Sequence, residues 1–141
     1  MRALRMISVL LAVVAVAGTL FAAPPLMVPQ AGDRTVEAGI RDLFQQYSAG
    51  FESLDALAIK KVQPSIDAEN LKSAFKEMRA LEVTIDELRV LSADGAVTRV
   101  SCRVTQTLTP KAGSKRTVAV TRVIRLRKLQ SGVWIIDAFE R

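Results

Sequence analysis

The sequence predicts an α+β domain in which three N-terminal helices pack on the concave face of a curved four-stranded antiparallel sheet. Apolar residues recur at spacings of three and four between residues 35 and 78, which is typical of amphipathic helices. From Leu81 onward they alternate with polar residues, which is typical of strands with one buried face. A glycine-containing turn at residues 130–132 joins the last two strands into a hairpin. Helices that each have one apolar side need a sheet to cover that side.

The first helix is expected to begin at a cap on Thr35, because a threonine hydroxyl can accept a hydrogen bond from the first turn. A second, short helix is predicted over residues 55–61, ending before Pro64. The third begins at a cap on Asp67. The apolar stripes of the first and third helices are Val36, Ile40, Leu43, Phe44, Tyr47 and Phe51, and then Leu71, Ala74, Phe75 and Met78.

The first strand starts at Leu81, and its alternation changes phase near Glu87, which predicts a β-bulge. Turns are expected at residues 93–95, 110–116 and 130–132. With a three-residue last turn, the register places Lys128 opposite Trp134, Leu126 opposite Ile136, Ile124 opposite Ala138 and Arg122 opposite Glu140. The inward residues of the later strands are Val100, Cys102, Val104, Leu108, Val118, Val120, Ile124, Leu126, Trp134, Ile136 and Ala138.

The N-terminal segment consists of a positive stretch at residues 1–5, an uncharged apolar stretch at residues 6–23 and then two prolines. This pattern indicates a secretory signal peptide, with an uncleaved anchor helix as the alternative. Residues 24–34 are then a linker and residues 35–141 the domain. Both alternatives predict an exported protein, periplasmic or extracellular, or held at the inner membrane by residues 6–23, its only expected membrane contact.

The composition removes several classes of chemistry. The chain carries a net charge of +6, no histidine and one cysteine, so we expect no metal, no cofactor and no disulfide within the chain. Arginines recur along the outer face of the sheet. The aromatic side chains on which surfaces that bind single-stranded nucleic acid stack the bases are absent there, so we expect no nucleic-acid partner. In the predicted register Arg127 lies opposite Arg99, and Asp137 lies beside Arg125. The outer arginines are Arg99, Arg103, Arg125 and Arg127.

The order of elements resembles the nuclear transport factor 2-like superfamily, the cone-shaped α+β fold that includes ketosteroid isomerase and polyketide-cyclase-like proteins. The resemblance rests on residues 40–47 of the opening helix, the Leu54–Asp55 step and residues 132–136. Residues 62–67 resemble compact bacterial versions that are attached to envelope proteins or signalling kinases. These versions lack the extra hairpin that precedes helix three in the enzymes. The resemblance implies a pocket between helix one and the concave face.

Four residues are predicted to contact a ligand: Tyr47, Arg122, Trp134 and Glu140. Tyr47 is the only tyrosine, and the resemblance to isomerases implies that it could donate a hydrogen bond to a developing oxyanion, with a purely structural core tyrosine as the alternative. Arg122 interrupts an apolar series, and we expect it to form a partly buried ion pair with Glu140 that either grips a polar ligand or is structural. Cys102 is expected to be buried and inert.

The sequence thus favours a non-catalytic binding or interaction module of the bacterial envelope. Its partners would be a small apolar ligand, another protein, or a second copy of the chain packed sheet against sheet. The alternative is a small isomerase, cyclase or dehydratase in which Tyr47 polarises a carbonyl group. Glu140 or Asp137 would then act as the base, which requires a carboxylate with a tuned pKa in a dry cavity.

Overall fold

The computed structural model describes residues 31–141, with side chains from Arg34 onward. The predicted signal peptide or anchor lies outside these residues, and no helix within them is long and apolar enough to cross a membrane. The four strands form one antiparallel sheet in the order β1-β2-β3-β4, which confirms the predicted α+β class. The elements are α1 (Ala31–Glu52), α2 (Ala56–Val62), α3 (Ala68–Lys76), β1 (Met78–Asp94), β2 (Val97–Pro110), β3 (Arg116–Lys128) and β4 (Trp134–Glu140).

Helix α1 begins at Ala31, so the predicted cap at Thr35 is wrong and the residue lies inside the helix. Nothing in residues 31–34 breaks a helix as proline would, and these residues extend it into the predicted linker. The predicted apolar stripe packs onto the sheet, and Gly39 allows the indole of Trp134 to approach closely. A Cβ atom on Gly39 would lie 2.8 Å from Cδ1 of Trp134. The buried stripe residues are Ile40, Leu43, Phe44, Tyr47 and Phe51.

Aspartate caps begin the two short helices. The carboxylate of Asp67 accepts hydrogen bonds from the backbone N–H groups of Glu69 at 3.0 Å and Asn70 at 3.1 Å, which confirms the predicted cap. Asp55 caps α2 in the same way. Leu54, with φ of 54°, reverses the chain between α1 and α2. The two caps therefore fix where the helices start and how they turn back onto the sheet.

The sheet has an inner face, which the helices cover, and an outer face. The predicted bulge in β1 is confirmed, because the register shifts between Asp86 and Arg89 and Glu87 adopts φ of 51°. The core is centred on the inner face of β2, β3 and β4, and Tyr47 of α1 and Trp134 of β4 are both buried in it. The most buried strand residues are Val83, Thr98, Val100, Cys102, Ile124, Leu126 and Ile136.

Strand β4 is shorter than β3 and pairs only with its second half, from Val123 to Lys128. The first half of β3 therefore has β2 on one side and, within residues 31–141, no strand on the other. Val118 and Val120 belong to the inner row, as predicted, but they are 56% and 37% exposed because the helices do not reach them. This uncovered part of the inner face is where a ligand can approach.

The register of the last hairpin departs from the prediction after its first two pairs. Leu126 lies opposite Ile136, as expected, but a shift follows, so Ile124 faces Phe139 and Val123 faces Glu140. The predicted pairs of Ile124 with Ala138 and of Arg122 with Glu140 are therefore wrong. The extra residue turns Phe139 inward and Glu140 outward. Asp137 lies on the outer face as predicted, and its carboxylate accepts a hydrogen bond from Arg125 Nε at 2.7 Å.

The outer face also differs from the predicted register in one pair. Arg99 lies opposite Arg125, and Arg127 lies opposite Val97, so the expected pairing of Arg127 with Arg99 is wrong. The three-residue turn before β4 is confirmed, since the N–H of Leu129 donates to the carbonyl of Val133 at 2.8 Å. In the last hairpin, the count of residues within β4, and not the turn, displaced the predicted pairs.

Candidate functional site

A pocket of about 350 Å³ lies where the inner face of the sheet is uncovered. Helix α1 bounds it on one side, and the second half of β2, the first half of β3 and the end of β4 form its floor. We call it the inner-face pocket. Its lining residues are Tyr47, Val104, Gln106, Val118, Val120, Arg122, Phe139, Glu140 and Arg141. Its volume falls in the range of about 300–1,000 Å³ that is usual for small-molecule sites.

The walls of the inner-face pocket are mostly aliphatic and aromatic. Val104 and Val118 flank Gln106 across the floor, and Phe139 tilts towards the ring of Tyr47 at a centroid distance of 6.3 Å. Apolar walls exclude water from the surface of a bound hydrocarbon and so favour ligands with an apolar body. The bulge in β4 is essential to this arrangement, because it turns Phe139 inward.

Tyr47 supplies a neutral hydrogen-bond donor. Its ring packs edge to face against Phe51 at a centroid distance of 4.8 Å, which fixes its orientation. Burial, and to a lesser degree the nearby Cys102 thiol, raises the pKa of the Tyr47 phenol well above its ordinary value. The hydroxyl has no hydrogen-bond partner among the described residues, yet it is not sealed from solvent. It therefore stays protonated and free to donate to a ligand.

Arg122 brings a positive charge to the same surface. It lies opposite the buried Cys102 in the sheet and follows Val120 in the inner row, so it belongs to the inner face. No carboxylate of the described chain lies within salt-bridge distance of its guanidinium group. Arg122 is exposed, and its charge is not neutralised by the protein. The predicted ion pair with Glu140 is therefore not formed.

Glu140 and Asp137 are instead engaged by arginines of the outer face. Arg99 Nε donates to Glu140 Oε2 at 2.9 Å, and these hydrogen bonds hold the pKa of the Glu140 carboxyl below its usual value. Asp137 accepts from Arg125 and also lies 2.9 Å from a guanidinium nitrogen of Arg127. Neither carboxylate is a free base facing the pocket, so the base assigned to them by the enzyme alternative is not available.

The structure brings three of the four predicted ligand-contacting residues to the pocket. Tyr47, Arg122 and Glu140 line it, whereas Trp134 is buried against Gly39 in the core and does not. Sequence reasoning missed Gln106, although the signal was the same as for Arg122: a polar residue that interrupts an apolar inner row, here between Val104 and Leu108.

A second, more open cleft of about 530 Å³ lies between α1 and β1. Its polar side chains include Arg41, Ser48 and Asp86, and its floor adjoins that of the inner-face pocket because Val83 pairs with Gln106. Within the described residues, no group of three acidic or cysteine side chains is placed to hold a metal ion. The chemistry of the site thus depends on the tyrosine, the arginine and the amide of the inner-face pocket.

Neither protein-family models nor curated protein sequences give a match to this chain. Solved structures do. A putative scytalone dehydratase from Novosphingobium aromaticivorans superimposes with a TM-score of 0.68 at 10% identity, covering 77% of this chain and 83% of that one. A hexachlorocyclohexane dehydrochlorinase from Novosphingobium barchaimii gives a TM-score of 0.61 at 13% identity, with coverages of 75% and 84%.

A putative dehydratase of the nuclear transport factor 2-like family from Streptomyces avermitilis gives a TM-score of 0.61 at 11% identity, covering 75% of this chain and 94% of that one. These neighbours are named as enzymes, and this finding contradicts the prediction of a non-catalytic module. At such low identity the likeness itself extends to the architecture alone. The chain has the nuclear transport factor 2-like fold that the order of its elements indicated.

Proposed function

We propose that this protein is a small dehydratase- or isomerase-type enzyme that acts on an apolar carbonyl compound in the inner-face pocket. The observation that carries the proposal is the Tyr47 hydroxyl, which is neutral, unpaired within the described chain and set in an apolar wall. Elimination is the reaction class named for the dehydratases and the dehydrochlorinase that share the fold. A polarised carbonyl group makes elimination at the adjacent carbons easier.

In such an elimination, a C–H bond next to the carbonyl breaks and the leaving group departs from the following carbon. Negative charge develops on the carbonyl oxygen as an enolate forms. A preorganised hydroxyl aimed at that oxygen stabilises the charge more strongly than it stabilises the neutral substrate. Since burial keeps Tyr47 protonated, this donor is present across the whole neutral pH range.

The proton released from carbon needs an acceptor that the pocket itself does not supply. The only carboxylate side chain among the residues lining the pocket is that of Glu140, and Arg99 holds it. The proton therefore passes to water at the pocket mouth or to the departing hydroxyl group, which leaves as water. This favours substrates with an acidic C–H bond and a good leaving group, because such substrates can react without a strong base from the protein.

Export is part of the same proposal. Residues 1–5 are positively charged and residues 6–23 are uncharged and apolar, which supports a signal peptide or an anchor and a domain that works outside the cytoplasm. Mass spectrometry of the protein recovered from an envelope fraction would detect a chain that starts after residue 23 if the signal is cleaved. Recovery from the cytoplasmic fraction alone would contradict export.

The enzyme proposal is tested with a panel of cyclic β-hydroxy ketones and β,γ-unsaturated ketones, followed by the ultraviolet absorbance of the conjugated product. We expect turnover of at least one compound by the wild type. Tyr47→Phe, which keeps the ring and removes the hydroxyl, should lower kcat by about 100- to 1,000-fold. Ser48→Ala, which removes a hydroxyl from the neighbouring cleft, is the matched control and should keep its activity. Full activity of Tyr47→Phe, or no turnover of any compound, would contradict the proposal.

A further inference from the structure

We propose that the ligand of the inner-face pocket is an apolar carboxylic acid whose carboxylate is bound by Arg122. The inference rests on the proposed function only in taking this pocket as the substrate site. It concerns binding and not turnover, so it can be tested separately.

The first step of the argument is the charge of the site. Three charged side chains line the pocket: Arg122, Glu140 and Arg141. The carboxylate of Glu140 is occupied by Arg99 from the outer face, which leaves the pocket positive. An anion is the complement of such a site, because it neutralises charge that the protein leaves open.

The second step is the position of Arg122 within the sheet. It stands in the inner row of β3 between Val120 and Ile124, and Ile124 is fully buried. A guanidinium group that lies against an apolar surface loses part of its contact with water. Hydrogen bonds to an anionic ligand replace these lost contacts. A planar guanidinium group offers two parallel N–H donors to a carboxylate, a geometry that lysine cannot reproduce.

The third step is the shape and polarity of the remaining walls. The side chains of Val104, Val118, Val120 and Phe139 offer no polar partner, so the part of the ligand that contacts them is hydrocarbon. A volume of about 350 Å³ suits a body of one or two rings or a medium-length chain. Tyr47 and Gln106 are then available for one further polar group, such as the carbonyl of a keto acid.

A competing explanation is that Arg122 protects an exposed strand edge. Among the described residues, no strand pairs with the first half of β3 on the side away from β2, and charged residues on such edges prevent pairing with other chains. This explanation predicts no preference between an acid and the corresponding amide. The two explanations therefore differ in a binding measurement.

The experiment is isothermal titration calorimetry of the full chain with cinnamate, 2-naphthoate and decanoate, each compared with its neutral amide. We expect the acids to bind at least about ten-fold more tightly than the amides, since a charged hydrogen bond is lost in each amide. Arg122→Gln should abolish this preference, and Arg122→Lys should restore only part of it. Arg103→Gln, which removes an exposed arginine from the outer face of β2, is the matched control and should bind like the wild type.

Equal affinity for acids and amides, an Arg122→Gln protein that keeps the preference, or no binding of any acid would each overturn the inference. Thermal melting of every variant establishes that it is folded, and Arg122→Lys provides the decisive comparison if Arg122→Gln does not fold. Acid binding that depends on Arg122 in a protein that turns over no ketone would support this inference and contradict the enzyme proposal. Turnover without any preference for acids would do the reverse.

Discussion

Cys102 is a thiol enclosed on the inner face of β2, where it is only 1% exposed. Burial, with a smaller contribution from the charge of Asp86, raises the pKa of this thiol from 9.0 to about 11. Between these values the unfolded chain releases its thiol proton before the folded chain does. The thiol of Cys102 therefore makes its full contribution to the free energy of unfolding below pH 9, and this contribution is lost as the pH rises towards 11.

We expect Cys102→Ala to remove this part of the pH dependence. Urea denaturation at neutral pH and near pH 10.5 should show that the wild type loses about 2 kcal/mol more stability than the variant over that interval. The variant will be less stable at neutral pH because it leaves a small cavity, so the comparison is between the two slopes. Parallel pH profiles would show that the thiol is not shielded from water as the fold indicates.

At the residue scale, two residues that were singled out from the sequence line the inner-face pocket. Arg122 was chosen because a charge interrupts an apolar series, and Tyr47 because of the resemblance to isomerases with a tyrosine in the first helix. The partner of Arg122 was not predictable, because pairing across a hairpin depends on every residue between the turn and the pair. One inserted residue moved Glu140 from the inner face to the outer one.

At the scale of elements, α1 and β4 approach each other through a single glycine. A Cβ atom on Gly39 would lie 2.8 Å from Cδ1 and 2.9 Å from Nε1 of the buried Trp134 indole, much closer than van der Waals contact. We expect Gly39→Ala to destabilise the protein by about 1–3 kcal/mol, because the clash outweighs the roughly 1 kcal/mol that alanine gains in a helix interior. Urea denaturation measures the change.

Two further variants separate the clash from other effects. Gly50→Ala would bring its Cβ within 2.7 Å of Cγ1 of the buried Ile59, a clash that does not involve Trp134, so its cost should not depend on the residue at position 134. In a Trp134→Leu background, Gly39→Ala should no longer destabilise, which a double-mutant cycle would show as a coupling energy. A Gly39→Ala protein as stable as the wild type would mean that α1 does not approach β4 so closely.

The bulge in β4 is a feature that the spacing of apolar residues in the sequence does not predict. Both Ile135 and Ile136 are buried, so the strand is apolar in two successive positions and fits either phase. Tertiary contacts decide the phase after Asp137: Phe139 turns in to meet Tyr47, and Glu140 turns out to meet Arg99. By contrast, the bulge in β1 was visible in the sequence, because its apolar residues themselves change phase near Glu87.

At the scale of the whole molecule, the architecture follows from the order of patterns. Helices with one apolar side precede strands with one apolar face, and few arrangements bury both. The pocket does not follow in the same way. It exists because β4 ends before β3 does and because α1 covers only part of the inner face, and both are differences of length between elements that periodicity does not measure.

The outer face holds these unequal strands together through ion pairs that cross the sheet. Glu140 at the end of β4 reaches over β3 to Arg99 on β2, and this contact anchors the strand end that carries Phe139 into the pocket. Hydrogen bonds from Arg99 lower the pKa of Glu140, so the pair stabilises the fold above the ordinary pKa of a glutamate. That contribution is lost as the pH falls through the lowered value in the folded protein.

We therefore expect Glu140→Gln to melt at a lower temperature than the wild type at neutral pH and low salt. The difference should shrink as salt is added, because screening weakens exposed charges, and it should disappear in acid once Glu140 is protonated in both states. Glu37→Gln breaks an exposed pair with Arg41 inside one helix and should change the melting temperature less, because it joins no separate strands. A Glu140→Gln protein whose deficit is the same at neutral and acidic pH would contradict the ionic origin of this crossing contact. If the contact also sets the position of Phe139, the variant should bind pocket ligands more weakly at neutral pH, while Glu37→Gln should not.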